Sequence, residues 1–399
     1  MNVVGLFSGI GGLELPFHRR GNRTLLMCEL WHPAQSVLKA HFADVPIHPD
    51  ITTLHSLPGE VDVVTAGFPC TDLSQAGKTA GINGPASGLV SHVFRLIESQ
   101  KIQWLVLENV KNMLVLDRGQ AMRVLVSKLE QLGFCWAYRV VDSRCSGLPH
   151  RRHRVLFVAS RLNDPREVLF ADDVGPVDEH SLDDSAFGFY WTEGYTGLGW
   201  ARDAVPPLKG GSTVGIPSPP AIWLRGAQIG RRIVIPKISD AEILQGFDAG
   251  WTEPTNSTTK NGPRWKLVGN AVTVGVSEWL VQRLANPGAP AVLGELWSGD
   301  GKWPEAAFGS NGRVWKYDLS AWPIQSSYKN LKDVVDIDNC IPLSHRAALG
   351  FLNRTKKSQL RFLPEFLDDV NAHVIATQGR GDQLPLFQGS KMFSSKKVA

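Results

Sequence analysis

The sequence predicts a doubly wound α/β fold in its first 160 residues. Short apolar runs alternate there with longer amphipathic stretches, an order typical of a mainly parallel sheet with helices on both faces. Helices are predicted over Ser91–Ser99 and Gly119–Leu132, where apolar residues recur three or four apart. Ligands of such sheets bind beyond the carboxyl ends of the strands. The predicted buried strands are Val3–Phe7, Thr24–Cys28, Val61–Ala66, Gln103–Leu107 and Val155–Ala159.

Composition favours a soluble globular protein of two or three domains. The chain has 399 residues, of which 43% are hydrophobic and 20% are charged. No apolar run approaches the roughly 20 residues that span a bilayer, and the start MNVVGLFSGIGG lacks the features of a secretion signal. The five cysteines are an odd number without a CxxC pair, which argues against a disulfide framework or a metal site. We therefore expect a cytosolic protein without a metal.

Changes in composition predict three parts. Residues 1–160 with 265–288 form the regular catalytic domain, 161–264 a smaller irregular domain rich in Gly, Pro, Ser and Trp, and 289–399 a C-terminal extension. Ser239 to Glu242 reads as a capping box that opens a short helix ending near Gly246. A helix is predicted within Trp265–Leu284, and its inward side chains are Val272, Val276, Trp279, Leu280 and Leu284.

Charge is distributed unevenly although the net charge is only +4. Glu167–Ala201 holds eight acids and no Lys or Arg, whereas Arg202–Lys237 holds six basic residues and one acid. A second basic segment, Leu343–Arg361, has five Lys or Arg and no acid. Such segments favour contact with a polyphosphate, and the alternative is a merely solvated face.

A glycine-rich turn, FSGIGG from Phe7 to Gly12, follows the first predicted strand and opens a helix. Glycines there allow the backbone to approach a ligand closely. The spacing is not the dinucleotide GxGxxG, because Glu14 stands three residues after Gly11. Glu29 lies about 20 residues on, where a carboxylate can hold a ribose diol, and Asp50 is a candidate for the adenine end. The alternatives are a packing turn and, for Asp50, a surface cap.

Four further elements carry candidate chemistry. Cys70 follows a predicted strand in the GFPC loop, and Glu108 follows the next predicted strand at the start of ENV. A buried carboxylate is costly unless it is protonated, paired or functional. Arg152 and Arg154 lie two apart before a strand, and Asn270 lies in GNAV. Three of the four elements alone have a purely structural alternative: a core cysteine for Cys70, a solvated basic patch for the arginine pair and a helix cap for Asn270.

Together these elements resemble the DNA (cytosine-5)-methyltransferase family in order and spacing over residues 3–160 and 236–285. The resemblance implies a Rossmann-like, S-adenosylmethionine-dependent sheet with a target-recognition domain. It implies that Cys70 adds to C6 of cytosine, Glu108 binds N3 and the exocyclic amine, Arg154 binds O2, and Arg152 supports the loop. Thr71 and His150 depart from the usual Gln at their positions, which affects loop anchoring and DNA contacts. The implied cofactor pocket consists of Phe7, Gly9, Ile10, Gly11, Gly12, Glu29, Leu30, Trp31, Asp50, Ile51, Pro69, Leu89, Asn270, Ala271 and Val272.

The implied reaction explains these residue types. A thiolate at C6 makes C5 nucleophilic, so that C5 takes the methyl group and S-adenosylhomocysteine is released. The cytosine must be flipped out of the double-stranded DNA. The implied partners are DNA and a restriction endonuclease for the same site, with no membrane, and we expect a monomer of bacterial or phage type. The predicted DNA contacts are Ser74, Lys209, Ser212, Thr213, Arg225, Arg231 and Arg232.

Three alternatives stay open at this point. A tRNA cytosine-5 methyltransferase of the same family is the nearest, although the middle region here is larger. A nucleotide-dependent oxidoreductase is compatible with the glycine turn but not with its spacing or with the Cys, Glu and Arg set. A non-catalytic DNA-binding relative usually lacks the nucleophile. The basic segment Arg346–Arg361 either contacts the DNA backbone or packs on the core.

Overall fold

The computed structural model describes residues 1–68, 88–210, 219–255 and 262–379. Its strands, numbered along the chain, are β1 (Asn2–Leu6), β2 (Arg23–Cys28), β3 (Ile47–His48), β4 (Val63–Ala66), β5 (Trp104–Val110), β6 (Cys135–Asp142), β7 (His153–Ser160), β8 (Ala186–Phe189), β9 (Ala201–Arg202), β10 (Ala221–Leu224), β11 (Ile233–Ile235), β12 (Glu295–Leu296), β13 (Ala306–Ser310), β14 (Arg313–Lys316) and β15 (Ile341–Pro342). The α-helices are Leu15–Arg19, His32–His41, Val90–Ile97, Gln120–Gln131, Arg166–Leu169, Ile238–Leu244, Gly262–Asn270, Val274–Ala285, Leu331–Val334, His345–Thr355 and Pro364–Thr377.

The larger sheet has the strand order β12-β14-β13-β6-β7-β5-β4-β1-β2-β3. Strands β1 to β5 pair in parallel, as the alternating pattern predicts. Strand β7 is antiparallel to both β5 and β6. This reversal brings the first residues of β7 to the carboxyl end of β5, where Val110 is opposite Arg154.

Helices cover both faces of this sheet and form its core. One cluster joins alternate residues of β1, β4 and β5 to the helices Val90–Ile97 and Gln120–Gln131. The cluster on the other face includes the helix Val274–Ala285. The sequence prediction for the inward residues is confirmed, because all five are buried: Val272, Val276, Trp279, Leu280 and Leu284.

The smaller sheet is antiparallel, in the order β15-β11-β10-β8-β9. The region 161–264 thus contains a regular sheet rather than only irregular chain. The helices His345–Thr355 and Pro364–Thr377 pack on this sheet through Phe351 and Phe366, which meet Phe187, Phe189 and Trp223.

The segment after residue 288 contributes to both sheets. Strand β13 pairs antiparallel with β6, and β14 and β12 continue the larger sheet to its edge. Strand β15 completes the smaller sheet beside β11. The predicted boundary at 288 therefore does not coincide with a boundary between the two sheets.

Two local predictions are wrong. The helix Ile238–Leu244 begins after Lys237, whose backbone N–H donates to Asp240 at 2.7 Å, so Ser239 and Glu242 do not form the capping box. The single helix predicted within Trp265–Leu284 is two helices, with a break between Asn270 and Val274. The GNAV segment consequently spans the end of the first of these helices and the break that follows it.

Candidate active site

The glycine turn after β1 is tightly packed. Its backbone is left-handed at Phe7 (φ 56°), Gly9 (φ 56°) and Gly11 (φ 87°). A Cβ on Gly11 would lie 2.6 Å from the Phe42 ring, and a Cβ on Gly12 would lie 2.6 Å from the Val272 carbonyl oxygen. Glycine is required at both positions, since any side chain would displace the turn or its neighbours.

Glu29 joins the turn to the end of β2. Its carboxylate accepts hydrogen bonds from the backbone N–H of Gly9 at 2.8 Å and of Trp31 at 2.7 Å. Burial raises the pKa of Glu29, and these backbone donors oppose the shift. Each oxygen accepts one bond here, so lone pairs remain for further donors such as a diol.

The other predicted pocket residues differ in their burial and in their hydrogen bonds. Asp50 accepts the backbone N–H of Thr52 at 2.9 Å, and this hydrogen bond lowers the pKa of Asp50. Trp31 and Leu89 are half-buried, whereas Leu30 is exposed. Ile10 and Ile51 are buried, and the Ile10 carbonyl accepts the Trp251 indole N–H at 3.1 Å. Pro69 lies outside the described residues.

A buried acid lies beneath the glycine turn. Glu14 is fully buried, and the Thr65 hydroxyl donates to its carboxyl at 2.7 Å. Burial raises the pKa of Glu14 from its usual 4.5 to about 7. The folded protein therefore holds this proton more tightly than the unfolded chain does.

We expect Glu14 to make folding pH-dependent. Its stabilising contribution is fully present below pH 4.5 and is lost as the pH rises through about 7. A shift of this size corresponds to about 3 kcal/mol between these limits. Chemical denaturation of wild type and of Glu14→Gln from pH 4.5 to 8.5 tests this, because the variant should gain stability relative to wild type as the pH rises. A constant difference across that range would contradict it.

Glu108 and Arg154 form a buried pair on adjacent strands. The Arg154 Nε atom lies 2.9 Å from Glu108 Oε1, and both side chains are nearly inaccessible to water. Burial raises the pKa of Glu108, although Arg154 and Arg152 lower it in part. The register of β5 and β7 produces this contact, which places a carboxyl able to carry a proton beside a fixed cation.

Asn109, the residue after Glu108, is hydrogen-bonded to the segment that follows β4. Asn109 Nδ2 donates to the Phe68 carbonyl oxygen at 3.1 Å, and Phe68 is the last described residue before 69–87. Gly67 also faces Glu108, since a Cβ on Gly67 would lie 3.6 Å from Glu108 Oε2. The start of the GFPC segment is thus attached to the end of β5. The predicted nucleophile Cys70 and the predicted DNA contact Ser74 lie outside the described residues.

Arg152 is directed to the late segment instead of to the Glu108 pair. It is buried, and its Nη2 donates to the carbonyl oxygens of Gly269 at 3.1 Å and of Ala271 at 2.8 Å. Ala271 and Val272 are buried and Asn270 is exposed. Arg152 therefore holds the GNAV segment against the core, where Val272 meets Gly12.

His150 takes over a loop contact at the position where the family usually has Gln. Its Nε2 accepts the backbone N–H of Leu208 at 3.3 Å, and the ring is fully buried. Burial lowers the pKa of His150 well below its usual range, so the ring is neutral. His150 therefore anchors the segment before β7 to the region 205–208.

Three predicted DNA contacts have intrachain partners. Arg231 donates to the carbonyl oxygens of Ile337 at 3.0 Å and Asp338 at 2.8 Å. Arg232 pairs with Asp369, and Arg225 pairs with Asp184 at 2.6 Å. Arg225 also lies 3.4 Å from Glu365, so all three guanidinium groups join the smaller sheet to the C-terminal segment and are engaged within the chain.

Lys209, a fourth predicted DNA contact, pairs with Glu193, and its Nζ atom lies 3.6 Å from the centroid of the Tyr190 ring. The Lys209 side chain is 40% exposed and remains accessible to an anion. The two other predicted contacts, Ser212 and Thr213, lie outside the described residues.

Sequence reasoning missed a buried network that supports the late segment. Glu242 is fully buried and accepts the backbone N–H groups of Gly250 at 2.6 Å and Thr252 at 2.9 Å, while Arg264 pairs with it at 2.9 Å. Gln245 donates to the Val268 carbonyl at 2.8 Å. The sequence signal for this network was weak, because Glu242 lies in the helix Ile238–Leu244 beside the polar residues Ser239 and Asp240.

The described ranges contain neither a candidate membrane span nor a candidate metal site. No helix there is both long and apolar enough to cross a bilayer. No three His, Cys, Asp or Glu side chains in the same ranges could together hold a metal ion.

The fold is that of a methyltransferase. The crystal structure of S. pombe Dnmt2 methyltransferase matches with a TM-score of 0.52 at 14% identity, covering 71% of this chain and 98% of that one. The model of the C-5 cytosine-specific DNA methylase family matches residues 1–181.

Type II methyltransferase M2.BsuMI of Bacillus subtilis (strain 168) is 44% identical over 391 residues, which are 93% of this chain and 97% of that protein. Type II methyltransferase M.MspI of Moraxella sp is 26% identical over 302 residues, 71% of this chain and 70% of that protein. The chain belongs to the C-5 cytosine-specific DNA methylase family.

Proposed function

We propose that this chain transfers a methyl group from S-adenosylmethionine to C5 of a flipped cytosine in double-stranded DNA. The observation that carries the proposal is the buried Glu108–Arg154 pair, next to which Asn109 holds Phe68, two residues before Cys70. This arrangement brings one carboxyl group, one cation and Phe68 of the GFPC segment to the same end of the sheet. Family membership and the type II relatives support the same reaction.

The glycine turn suits an S-adenosylmethionine molecule. The Glu29 oxygens have lone pairs free for a ribose diol. A Cβ on Gly9, whose backbone N–H contacts Glu29, would meet no atom within 4 Å, so the turn leaves open space beside this carboxylate. Asp50 and the half-buried Trp31 are the candidates for the adenine end. When bound, the cofactor supplies an electrophilic methyl group.

The protein's groups would act on the base in sequence. The Cys70 thiolate forms a bond to C6, and the electron pair of the C5–C6 double bond moves into the ring. Glu108 gives its proton to N3, while Arg154 holds O2, so the negative charge is neutralised as it develops. C5 then takes the methyl group. Loss of the C5 proton to water and departure of Cys70 restore the double bond, and Glu108 recovers its proton.

The raised pKa of Glu108 suits this role. A carboxyl group that is buried retains its proton at a higher pH than an exposed one. The salt bridge to Arg154 holds Glu108 in place before the base arrives. Entry of the base would exchange that contact for one between Arg154 and O2.

The region 161–264 is our candidate for reading the DNA sequence, with Lys209 and residues 211–218 as its candidate contacts. The type II relatives suggest that a restriction endonuclease with the same target sequence accompanies the enzyme. Methylation of one cytosine in that sequence would then protect the host DNA from cleavage.

Bisulfite sequencing tests the reaction and finds its target. We expect DNA from a methylation-free host that expresses the chain to keep one cytosine unconverted in a single short context. The same host with an empty vector is the control. Purified protein should transfer labelled methyl groups to a duplex of that context and not to tRNA. Transfer to tRNA alone, or full conversion of DNA beside folded protein, would overturn the proposal.

A further inference from the structure

Four basic side chains on the C-terminal helix His345–Thr355 and just after it are exposed, namely Arg346, Lys356, Lys357 and Arg361. Within the described ranges, none of the four side chains has an ion-pair or hydrogen-bond partner. They differ in this from Arg225, Arg231 and Arg232, which are engaged within the chain. We call these four side chains the basic face.

The helix is oriented so that the basic face points to water. Its buried residues are Ala348, Phe351, Leu352 and Thr355, which contact the smaller sheet or line that side of the helix. Arg346 lies on the side of the helix opposite these residues, and the exposed Asn353, seven residues on, lies on the same side. Lys356 and Lys357 follow the last helical residue, Thr355, and Arg361 lies four residues further along the chain.

The helix is fixed to the proposed recognition region. Arg354 donates through Nη2 to the Trp191 carbonyl oxygen at 2.6 Å and through Nε to the Glu193 carbonyl oxygen at 3.0 Å. Glu193 is also the partner of Lys209. The basic face and the candidate DNA contact Lys209 are therefore held by the same stretch of chain.

The chemistry of the face selects a polyanion. No Asp or Glu occurs between residues 343 and 364, so no acid in this stretch neutralises the four cations. Eleven residues of helix extend over roughly 16 Å, and a DNA strand advances about 3.4 Å per phosphate along its axis. Several cations on this face can therefore contact separate phosphates of one strand.

We propose that the basic face binds the phosphate backbone of DNA outside the flipped cytosine, and so adds affinity without reading sequence. This inference rests on the proposed function, since it takes DNA as the substrate. Arginine and lysine contacts to phosphates release counterions, so the affinity they add decreases as salt increases. The contacts influence DNA binding rather than the chemical step.

The test compares DNA binding by wild type and by a variant with Arg346→Gln, Lys356→Gln, Lys357→Gln and Arg361→Gln. A 40-base-pair duplex of the target context and one of random sequence are titrated at several salt concentrations. We expect weaker binding of both duplexes and a salt slope lower by about 0.9 for each lost phosphate contact. The rate constant at saturating DNA should be unchanged.

Two control variants distinguish phosphate binding by the basic face from a general effect of removing positive charge or from disturbed folding. The matched variant changes four other exposed cations without ion partners among the described residues, Arg20, Arg23, Lys39 and Lys101, to Gln and should keep the wild-type slope. A variant that exchanges Arg for Lys and Lys for Arg on the basic face should also keep it.

An unchanged slope in the fourfold variant, or an equal loss in the matched variant, would overturn the inference. So would a loss of binding to anionic vesicles without any change in DNA binding. If wild type binds DNA with the expected slope change but never methylates it, the proposed function fails and the basic face remains supported.

Discussion

Cys70→Ser is expected to lower methyl transfer by roughly four orders of magnitude or more, since removal of a nucleophile has effects of this size. A serine hydroxyl is far less acidic and less nucleophilic than a thiol, so the bond to C6 does not form. Single-turnover kinetics on a duplex with the target context measure the loss. DNA binding should remain, because the sulfur contributes to chemistry rather than to affinity.

Covalent trapping makes this test specific. With 5-fluorocytosine at the target position, fluorine replaces the C5 proton that must leave, so wild type should remain attached to the DNA through Cys70. The Ser variant should give no attached species. Cys135→Ser is the matched control, since Cys135 is a half-buried thiol that donates to the Ser160 carbonyl at 3.1 Å. A Ser variant that keeps a tenth of the wild-type rate would contradict the mechanism.

Glu108→Gln should reduce the rate constant by about 10² to 10³, the usual effect of removing one group that stabilises developing charge. The amide can still contact the exocyclic amine, but it cannot give a proton to N3. The same change removes the negative partner of a buried arginine, so folding must be measured beside activity.

The pH dependence distinguishes loss of proton donation to N3 from loss of the buried ion pair. Because burial raises the pKa of Glu108, the wild-type rate constant should decrease on the alkaline side as the carboxyl group loses its proton. That decrease should be absent in Glu108→Gln. Glu98→Gln, at an exposed position, should retain it. If Glu108→Gln and wild type share the alkaline decrease, Glu108 is not the proton donor.

The sequence predicted four of the five parallel strands of the larger sheet. The predictions for β1, β2, β4 and β5 differ from the structure only at the strand ends, whereas the two-residue strand β3 (Ile47–His48) was not predicted. Glu108 illustrates the importance of those ends, because it lies inside β5 instead of after it. The contact with Arg154 depends on the antiparallel direction of β7, which apolar runs do not reveal.

The assignments that differ concern charged side chains with several available partners. Arg152 and Arg231 are one to two residues from other arginines in sequence, yet their partners are backbone carbonyl oxygens more than 100 positions away. Nothing in local composition distinguishes a guanidinium group that binds phosphate from one that binds a carbonyl. Glu242 was misread for the same reason, since its partners lie in the loop after its helix.

The proposed role of the smaller sheet in reading DNA has a consequence for engineering target specificity. Its strands come from two separate stretches, because β15 and the helices that cover Phe187 and Trp223 lie beyond residue 340. A chimera that exchanges only residues 161–264 would join a new sheet to helices shaped for the old one. Successful transplants between relatives should carry both stretches as one unit, with the strands β12 to β14 left to the recipient.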